Sequence, residues 1–186
     1  MASEEVRGSF CRYDSCVITD QLATGAGALE RELLLLEAPL ETVWDAIYQV
    51  EQWPAWWLYV ERVVELAPGQ ANGVDSVRRY TWRTRLPYRL TFEMRTTGVE
   101  HGALLEGVAG GELAGSGRWT LRQQGSNTLV VYEWRVRTHK PWMNLLAPLL
   151  RPLFAWNHDA VMRAGGEGLA RWLHCRLISQ HGETIS

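Results

Sequence analysis

The chain has 186 residues, of which 46% are hydrophobic and 22% charged, and its formal net charge is −2. This length suits one domain with a sizeable core, and the dispersed basic residues exclude the electrostatic footprint of a nucleic-acid-binding protein. No segment approaches the roughly 18 consecutive apolar residues of a membrane span, and the N-terminus lacks a basic start followed by an apolar run. We therefore predict a cytoplasmic protein without stable membrane insertion.

The first 28 residues are polar and small, and they end in the sequence TGAGA. We predict that residues 1–28 form a tail or one added strand, residues 29–178 the domain, and residues 179–186 a C-terminal tail. The cysteines are odd in number and lack a paired motif, which argues against a disulfide framework. Cys11 and Cys16 alone are a weak signal for a metal or redox site, so we predict no metal and no cofactor.

The predicted domain opens with a strand and a short helix. Residues 33–36 form an apolar run, which Pro39 ends. Apolar residues then recur at the spacing of a helix: Leu40, Val43, Trp44 and Ile47. Pro54 follows in a segment rich in tryptophan, so we predict a tight corner or a second short helix there.

The segments that follow alternate apolar with polar side chains, as strands do: SVRRYTWRTRLP, YRLTFEMRTT, GRWTLRQQ and TLVVYEWRVRTHK. Each segment has one apolar face and one charged face, which is typical of an antiparallel sheet with one face in water. The turn sequences APGQANG, RLPY and QGSN separate the segments. We predict that five arginines lie on the outer face of the sheet: Arg79, Arg83, Arg95, Arg135 and Arg137.

The apolar spacing becomes helical again after Pro141 and stays so to Leu173, which predicts a long C-terminal helix. Because Pro148 and Pro152 make its first part irregular, we expect the regular helix to begin near Leu153. The predicted fold class is α+β. A curved antiparallel sheet of about six to seven strands wraps around the long helix, with short helices after the first strand.

Three segments carry a resemblance to a known superfamily. They are the opening LEAPLETVWDAIYQVEQWPAWWLYVERVVEL, the glycine-marked strand GELAGSGRWTL and the closing FAWNHDAVMRAGGEGLARWL. In this order they resemble the START-like, or SRPBCC, superfamily, near its members of the polyketide cyclase/dehydrase type, from residue 30 to residue 173. The resemblance implies a helix-grip fold with a cavity between the sheet and the C-terminal helix. It also implies binding of an apolar small molecule.

Glycines on one strand and on the closing helix need a physical reason. Gly115 and Gly117 share a strand face with Trp119, and a glycine inside a strand weakens it unless a bend or a close approach requires it. Gly165 and Gly168 lie together on the helix, where each costs about 0.5–1 kcal/mol relative to alanine. Close packing of helix on sheet is the simpler interpretation, and space for a ligand is the alternative.

The inward strand faces carry more aromatic rings than a structural core requires. Buried indoles and phenols need hydrogen-bond partners, whereas aromatic walls with a few polar tips are usual in small-molecule pockets. We predict that the tryptophan-rich corner, residues 53–57, lies where such a cavity opens and contributes to its rim. The predicted ligand-binding residues are Trp56, Trp57, Tyr80, Trp82, Phe92, Met94, Trp119, Tyr132, Trp134 and Met162.

Catalytic signals are weak, since the sequence has no GxSxG elbow, no His-Glu metal motif and no phosphate loop. His158 with Asp159, and Glu106, are acid/base candidates if they face inward, although exposed positions are the simpler interpretation. Three functions stay open: a binder of a lipid- or polyketide-like molecule, a cyclase/dehydratase-type enzyme using the same cavity, and a protein-interaction module using an outer face. No oligomeric state follows from the sequence.

Overall fold

The computed structural model describes residues 29–139 and 141–185, without the side chains of residues 141–152 and 154. The predicted N-terminal tail, with Cys11 and Cys16, lies outside this part of the chain. The strands are β1 (Leu29–Leu36), β2 (Val60–Ala67), β3 (Val77–Arg83), β4 (Arg89–Glu100), β5 (Leu104–Gly111), β6 (Leu113–Gln124), β7 (Asn127–Thr138) and β8 (Leu177–Ile185). The helices are α1 (Leu40–Tyr48), a 3-10 turn (Val50–Gln52), α2 (Trp53–Trp56) and α3 (Pro141–Trp172).

All eight strands form one antiparallel sheet in the order β2-β3-β4-β5-β6-β7-β1-β8. Strands β2 to β7 follow one another as hairpins, whereas β1 lies between β7 and the C-terminal strand. The expected C-terminal tail of residues 179–186 is therefore corrected, because residues up to 185 pair with β1 as an edge strand. Backbone pairing with a strand far away in the sequence makes this segment a strand, and its own alternation is too weak to show it.

The strand faces agree with the predicted alternation. Tyr80, Phe92 and Tyr132 are buried on the concave face, whereas the side chains of Arg79 and Arg95 are 51% and 57% exposed. Arg83 and Arg137 are also exposed, and Arg135 is half-buried. On the convex face, Arg79 pairs with Glu93 at 2.7 Å and Arg95 with Asp75 at 3.7 Å. The charged face is thus the outer one.

Helix α3 begins earlier than expected, at Pro141 and not near Leu153. It continues through Pro148 and Pro152, because a proline removes one hydrogen bond of a helix without having to end it. In the part of the chain that is described, no helix is both long and apolar enough to cross a bilayer.

The tryptophan-rich corner at α2 packs beneath α3. Trp53, Trp56 and Trp57 are only 5%, 6% and 1% exposed. The indole nitrogen of Trp57 donates a hydrogen bond of 2.9 Å to the carbonyl oxygen of Val161 in α3. Trp57 thus fastens the helix to the rest of the domain, because it combines a large apolar area with a polar anchor on α3.

The glycines of α3 permit this close approach. A Cβ atom at Gly165 would lie 2.5 Å from the ring of Trp57, and one at Gly168 would collide with the carbonyl oxygen of Trp56. Both glycines are therefore explained by close packing of the helix, and neither leaves open space for a ligand.

The strand glycines also have a steric reason. Gly115 adopts a φ of +151°, which side chains disfavour, and a Cβ there would meet the carbonyl oxygen of Arg135. Gly117 lies under the ring of Trp134, and a Cβ atom at Gly117 would be only 2.8 Å from that ring. The missing side chains let β6 bend close to β7, so the sheet can curl over the apolar interior.

Candidate functional site

A cavity lined mainly by aromatic rings lies between the concave face of the sheet and the corner formed by α1, the 3-10 turn and α2. It has a volume of about 50 Å³. We call it the aromatic cavity. Its described lining is Tyr48, Val50, Trp53, Gly73, Arg78, Tyr80, Trp82, Phe92, Met94, Thr96, Leu105, Glu106, Gly107, Gly117, Trp119, Tyr132 and Trp134.

The rings of this lining pack against one another in fixed geometries. Trp119 stacks on Tyr132 with ring centroids 4.0 Å apart, and Tyr132 stacks on Trp134 at 5.9 Å. Tyr80 stacks on Phe92 with centroids 5.6 Å apart and an interplanar angle of 9°. The rings form extended flat walls, which suit the contact surface of another flat apolar group.

The cavity also contains a charged side chain that the sequence analysis did not select. Arg78 has the same strand parity as Tyr80 and Trp82, so alternation alone would have placed it inward. Its guanidinium donates to Glu51 at 2.5 Å and to the hydroxyl of Ser76 at 2.7 Å. These partners hold the positive charge in position and compensate it.

Three polar groups in the lining can hydrogen-bond a ligand. Burial raises the pKa values of Tyr80 and Tyr132, so both phenols stay neutral and can donate or accept a hydrogen bond. The indole nitrogen of Trp82 is shielded from solvent and has no hydrogen-bond partner among the described residues. The walls are therefore apolar with a few polar tips.

Seven of the ten predicted ligand-binding residues line the aromatic cavity: Tyr80, Trp82, Phe92, Met94, Trp119, Tyr132 and Trp134. Trp56, Trp57 and Met162 do not, and the predicted rim position of the two tryptophans is corrected because α3 covers them. The sequence analysis also missed Tyr48 and Trp53, which line the cavity. The spacing of apolar residues in a short helix does not show which face of the helix will pack against a distant strand.

A smaller cavity lies between the sheet and α3, with a volume of about 10 Å³. Its walls include Trp56, Trp57 and Met162, and it shares Trp119 and Tyr132 with the aromatic cavity. We call it the polar pocket, because buried Glu32 and half-buried Gln180 also line it.

The predicted acid/base candidates do not converge on either cavity. His158 is largely buried on α3, where burial lowers the pKa of its imidazole, while the adjacent Asp159 is exposed. Glu106 borders the aromatic cavity, but its carboxylate pairs with Arg118. Within the described ranges no group of three or more His, Cys, Asp or Glu residues could hold a metal ion.

An open groove lies outside the core, next to the tryptophan-rich corner. It has a volume of about 570 Å³, and both apolar and charged side chains line it. Leu58 and Trp172, which line it, are 55% and 43% exposed, and Arg83 and Arg171 also line it. This groove is the exposed surface most relevant to a role in protein interaction.

Solved structures share this fold. The di-domain ARO/CYC protein BexL from the BE-7585A biosynthetic pathway matches with a TM-score of 0.64 at 16% identity, over 85% of this chain and 54% of BexL. A START superfamily protein from Mycobacterium smegmatis matches with a TM-score of 0.63 at 15% identity, over 78% of this chain and 99% of its own. TTHA0849 from Thermus thermophilus matches with a TM-score of 0.62 at 18% identity, over 76% of this chain and 97% of its own. This chain thus spans about half the length of BexL.

At these identities the structural matches show the fold, which is the START-type helix-grip fold that the sequence resemblance implied. A search of curated proteins found no match. The family model for "Polyketide cyclase / dehydrase and lipid transport" matches residues 36–164, which is more than half of the chain. The protein therefore belongs to the polyketide cyclase/dehydrase and lipid transport family, within the SRPBCC superfamily.

Proposed function

We propose that the protein binds an apolar, aromatic small molecule of polyketide-like or lipid-like character in the aromatic cavity. The observation that carries this proposal is the lining itself, in which eight of the described residues are aromatic: Tyr48, Trp53, Tyr80, Trp82, Phe92, Trp119, Tyr132 and Trp134. Because these rings border open space, they can stack on a bound ligand as well as on one another.

The flat walls favour a ring system over a plain alkyl chain. Stacked aromatic pairs are worth about 0.5–1.5 kcal/mol beyond their buried area, and only a planar ligand gains this contribution at several walls. The phenol of Tyr80 and the indole nitrogen of Trp82 add hydrogen-bonding groups that can orient such a ligand.

Binding must widen the cavity. Typical ligand sites have volumes of about 300–1,000 Å³, whereas the aromatic cavity has a volume of about 50 Å³. Met94 is the most adaptable side chain of the wall, because its three rotatable bonds let it change shape at low cost. The expected ligand-bound state therefore differs from the present one in side-chain rotamers.

A cyclase/dehydratase-type enzyme is the second candidate, and the family description and the printed title of BexL support it. Such an enzyme would fold a reactive chain against the rings and supply an acid or a base. The described lining offers Arg78, whose charge is paired with Glu51, and the neutral phenols of Tyr80 and Tyr132. The carboxylate of Glu106 forms an ion pair with Arg118. This set of groups supports binding more directly than proton transfer.

A protein-interaction role would use the open groove and would not need the aromatic cavity. A protein-interaction role would leave the aromatic lining of the interior cavity without a function, whereas small-molecule binding explains it.

The test is calorimetric titration of the native protein with a planar aromatic compound, 9,10-anthraquinone. We expect saturable binding with micromolar-range affinity, about −8 kcal/mol. Leu105→Trp should fill the cavity from β5 and abolish the binding. Val108→Trp is the matched control on the same strand, since Val108 is 39% exposed on the opposite face and should leave binding unchanged.

Absence of saturable binding in the parent protein would refute the proposal. Equal loss of binding in both variants would also contradict it, because the outer-face substitution does not reach the cavity. Native mass spectrometry of protein purified from its own host then identifies a bound small molecule. Conversion of an added polyketide thioester, as measured by product analysis, would instead support the enzyme.

A further inference from the structure

The described sheet ends in two edge strands. Strands β2 and β8 lie at the two ends of the strand order, so each has one neighbouring strand. On an edge strand, alternate residues direct their N–H and C=O groups away from the sheet, where water or another strand can bond to them. Folded proteins commonly protect such an edge, because it is a template for pairing with another chain. The two edges of this sheet differ in that protection.

Strand β2 is a protected edge. Its register with β3 shifts twice, between Val60 and Arg62 and between Glu65 and Ala67. Glu61, Arg62 and Glu65 are exposed along it. Irregular register and charged side chains both hinder the approach of a further strand. This end of the sheet is therefore unsuited to pairing with another chain.

Strand β8 lacks these protections. Its nine residues, LISQHGETI, include no Lys, Arg or Pro. Its register with β1 is regular from Ser179 to Ile185, and the one shift in that pairing lies before them. Ile178 and Ile185 are 40% and 37% exposed. The strand is thus long, regular and open along its outer edge.

The two faces of β8 differ in what they contact. Gln180 points to the concave face, where its amide nitrogen donates to the carbonyl oxygen of Met162 in α3 at 3.0 Å. Glu183 points to the convex face, where it accepts a hydrogen bond of 3.1 Å from Arg31. By alternation, exposed His181 lies on the same convex face as Glu183. A strand that pairs with β8 would meet these convex side chains in water.

The convex face at this edge carries excess negative charge. Arg31 contacts Glu133 at 2.7 Å and Glu183 at 3.1 Å, so two carboxylates share one guanidinium group. The side chain of Glu183 is 42% exposed, which leaves it open to a further partner. An imidazole opposite Glu183 can donate a hydrogen bond to it, whether the imidazole is neutral or charged. The strand itself carries such a group, His181, two residues away.

This spacing makes β8 complementary to itself. Two copies of one strand can pair antiparallel about a two-fold axis. An axis through Gly182 places His181 opposite the partner's Glu183, and the same pair forms a second time by symmetry. The other opposite residues are then Gln180 with the partner's Thr184, and Ser179 with the partner's Ile185. An axis through Glu183 would instead place two carboxylates opposite each other, which destabilises a sheet.

We propose that β8 is the docking edge for a second copy of this chain, paired antiparallel about a two-fold axis at Gly182. The backbone groups of the two β8 strands then bond to each other and join the two sheets. The two pairs of His181 with the partner's Glu183 set the register. Because one strand edge makes a small interface, we expect a dissociation constant in the micromolar range. This docking is independent of the aromatic cavity and of the proposed function.

The first test follows the full chain over a range of concentrations by sedimentation velocity and by amide hydrogen exchange. We expect a monomer–dimer equilibrium. The β8 amides that do not bond to β1 should exchange more slowly as the dimer forms. A protein that stays monomeric overturns the proposal. Protection of these amides that does not depend on concentration also overturns it, because residues 1–28 or another part of the same chain would then cover the edge.

The second test addresses the register. His181→Lys places a full positive charge opposite the partner's Glu183 twice, so the dissociation constant should fall about two- to tenfold. His181→Glu places carboxylates there instead, and the dissociation constant should rise about tenfold. Adding Glu183→Lys to His181→Glu exchanges the two charges and should return the dissociation constant to within about threefold of the parent. If His181→Lys weakens the dimer as His181→Glu does, the axis is not at Gly182 and the proposal is overturned.

His139→Glu is the matched control. It makes the same substitution at an exposed position outside β8 and should leave the dissociation constant unchanged. If it weakens the dimer as much as His181→Glu does, net charge and not the β8 edge governs association, which refutes the proposal. Thermal unfolding checks that the variants are folded. If a variant does not fold, the concentration dependence of β8 exchange in the parent protein decides.

Discussion

The tryptophans of the α2 corner and those of the strands share a residue type but differ in what their rings face. Trp56 and Trp57 pack against α3, where glycines replace side chains that would collide with them. Trp82 and Trp134 are half-buried and face open volume on the concave side of the sheet. The first pair fastens a helix, and the second pair forms the wall of a cavity.

The difference shows that burial by itself does not assign a role to an aromatic ring. Trp57 has its indole nitrogen satisfied by the backbone of α3, at 2.9 Å from the oxygen of Val161. The indole nitrogen of Trp82 lacks a partner among the described residues, although it is equally shielded from solvent. The indole nitrogen of Trp56 also lacks a partner among the described residues, so the open space in front of a ring, and not the hydrogen bond of its nitrogen, separates the two pairs.

The largest expected effect is loss of stability when Trp57 is replaced. Trp57→Ala should lower the free energy of unfolding by about 3–5 kcal/mol, because it removes a fully buried ring and leaves the Val161 carbonyl without its donor. Urea denaturation followed by circular dichroism measures the change. A loss below about 1 kcal/mol, within the range of ordinary surface substitutions, would remove the distinction between the two pairs.

Gly168→Ala should destabilise by about 1–3 kcal/mol, since the added methyl group collides with the carbonyl oxygen of Trp56. Gly110→Ala provides the control, because a Cβ atom at Gly110 has nothing within 4 Å. The two variants are compared by thermal unfolding. If they unfold at the same temperature, close packing of α3 on the corner is not what requires the glycine.

Trp82→Phe should affect binding more than stability. The smaller ring changes the free energy of unfolding by less than about 1.5 kcal/mol, since the indole nitrogen leaves no described hydrogen bond behind. The dissociation constant for 9,10-anthraquinone should rise about two- to tenfold, as expected for one aromatic contact of about 0.5–1.5 kcal/mol. Calorimetry measures the affinity. An unchanged affinity together with a large loss of stability would place Trp82 with the corner tryptophans.

The smallest effect is expected on the convex face. Arg79→Gln should change the free energy of unfolding by no more than about 0.5 kcal/mol, because Arg79 and its partner Glu93 are about half exposed. Chemical denaturation at low and high salt tests this. A loss of several kcal/mol would mean that the outer face is not the solvent-exposed one.

Much of the cavity wall was predictable from alternation along single strands. Tyr80 with Trp82, and Phe92 with Met94, lie on one face because successive side chains of a strand point to opposite sides. The same rule applied to β1 and β3 places Glu32 and Arg78 on the inward face, but a charged side chain at such a position does not by itself predict a cavity wall. Tyr48 and Trp53 carried no comparable signal, since their position depends on how the corner folds back onto the sheet.

The sequence by itself determined the strands β3, β4, β6 and β7, the faces of their side chains, the helix after Pro39 and the family. These properties follow from local periodicity, turn residues and the order of a few segments. The tertiary structure alone decided that β8 pairs with β1, that the glycines of α3 leave room for the corner tryptophans, and that Glu32 and Gln180 line one pocket. The physical reason is that empty space, close contact and the pKa of a buried carboxyl group depend on atoms from segments far apart in the chain, which no local pattern records.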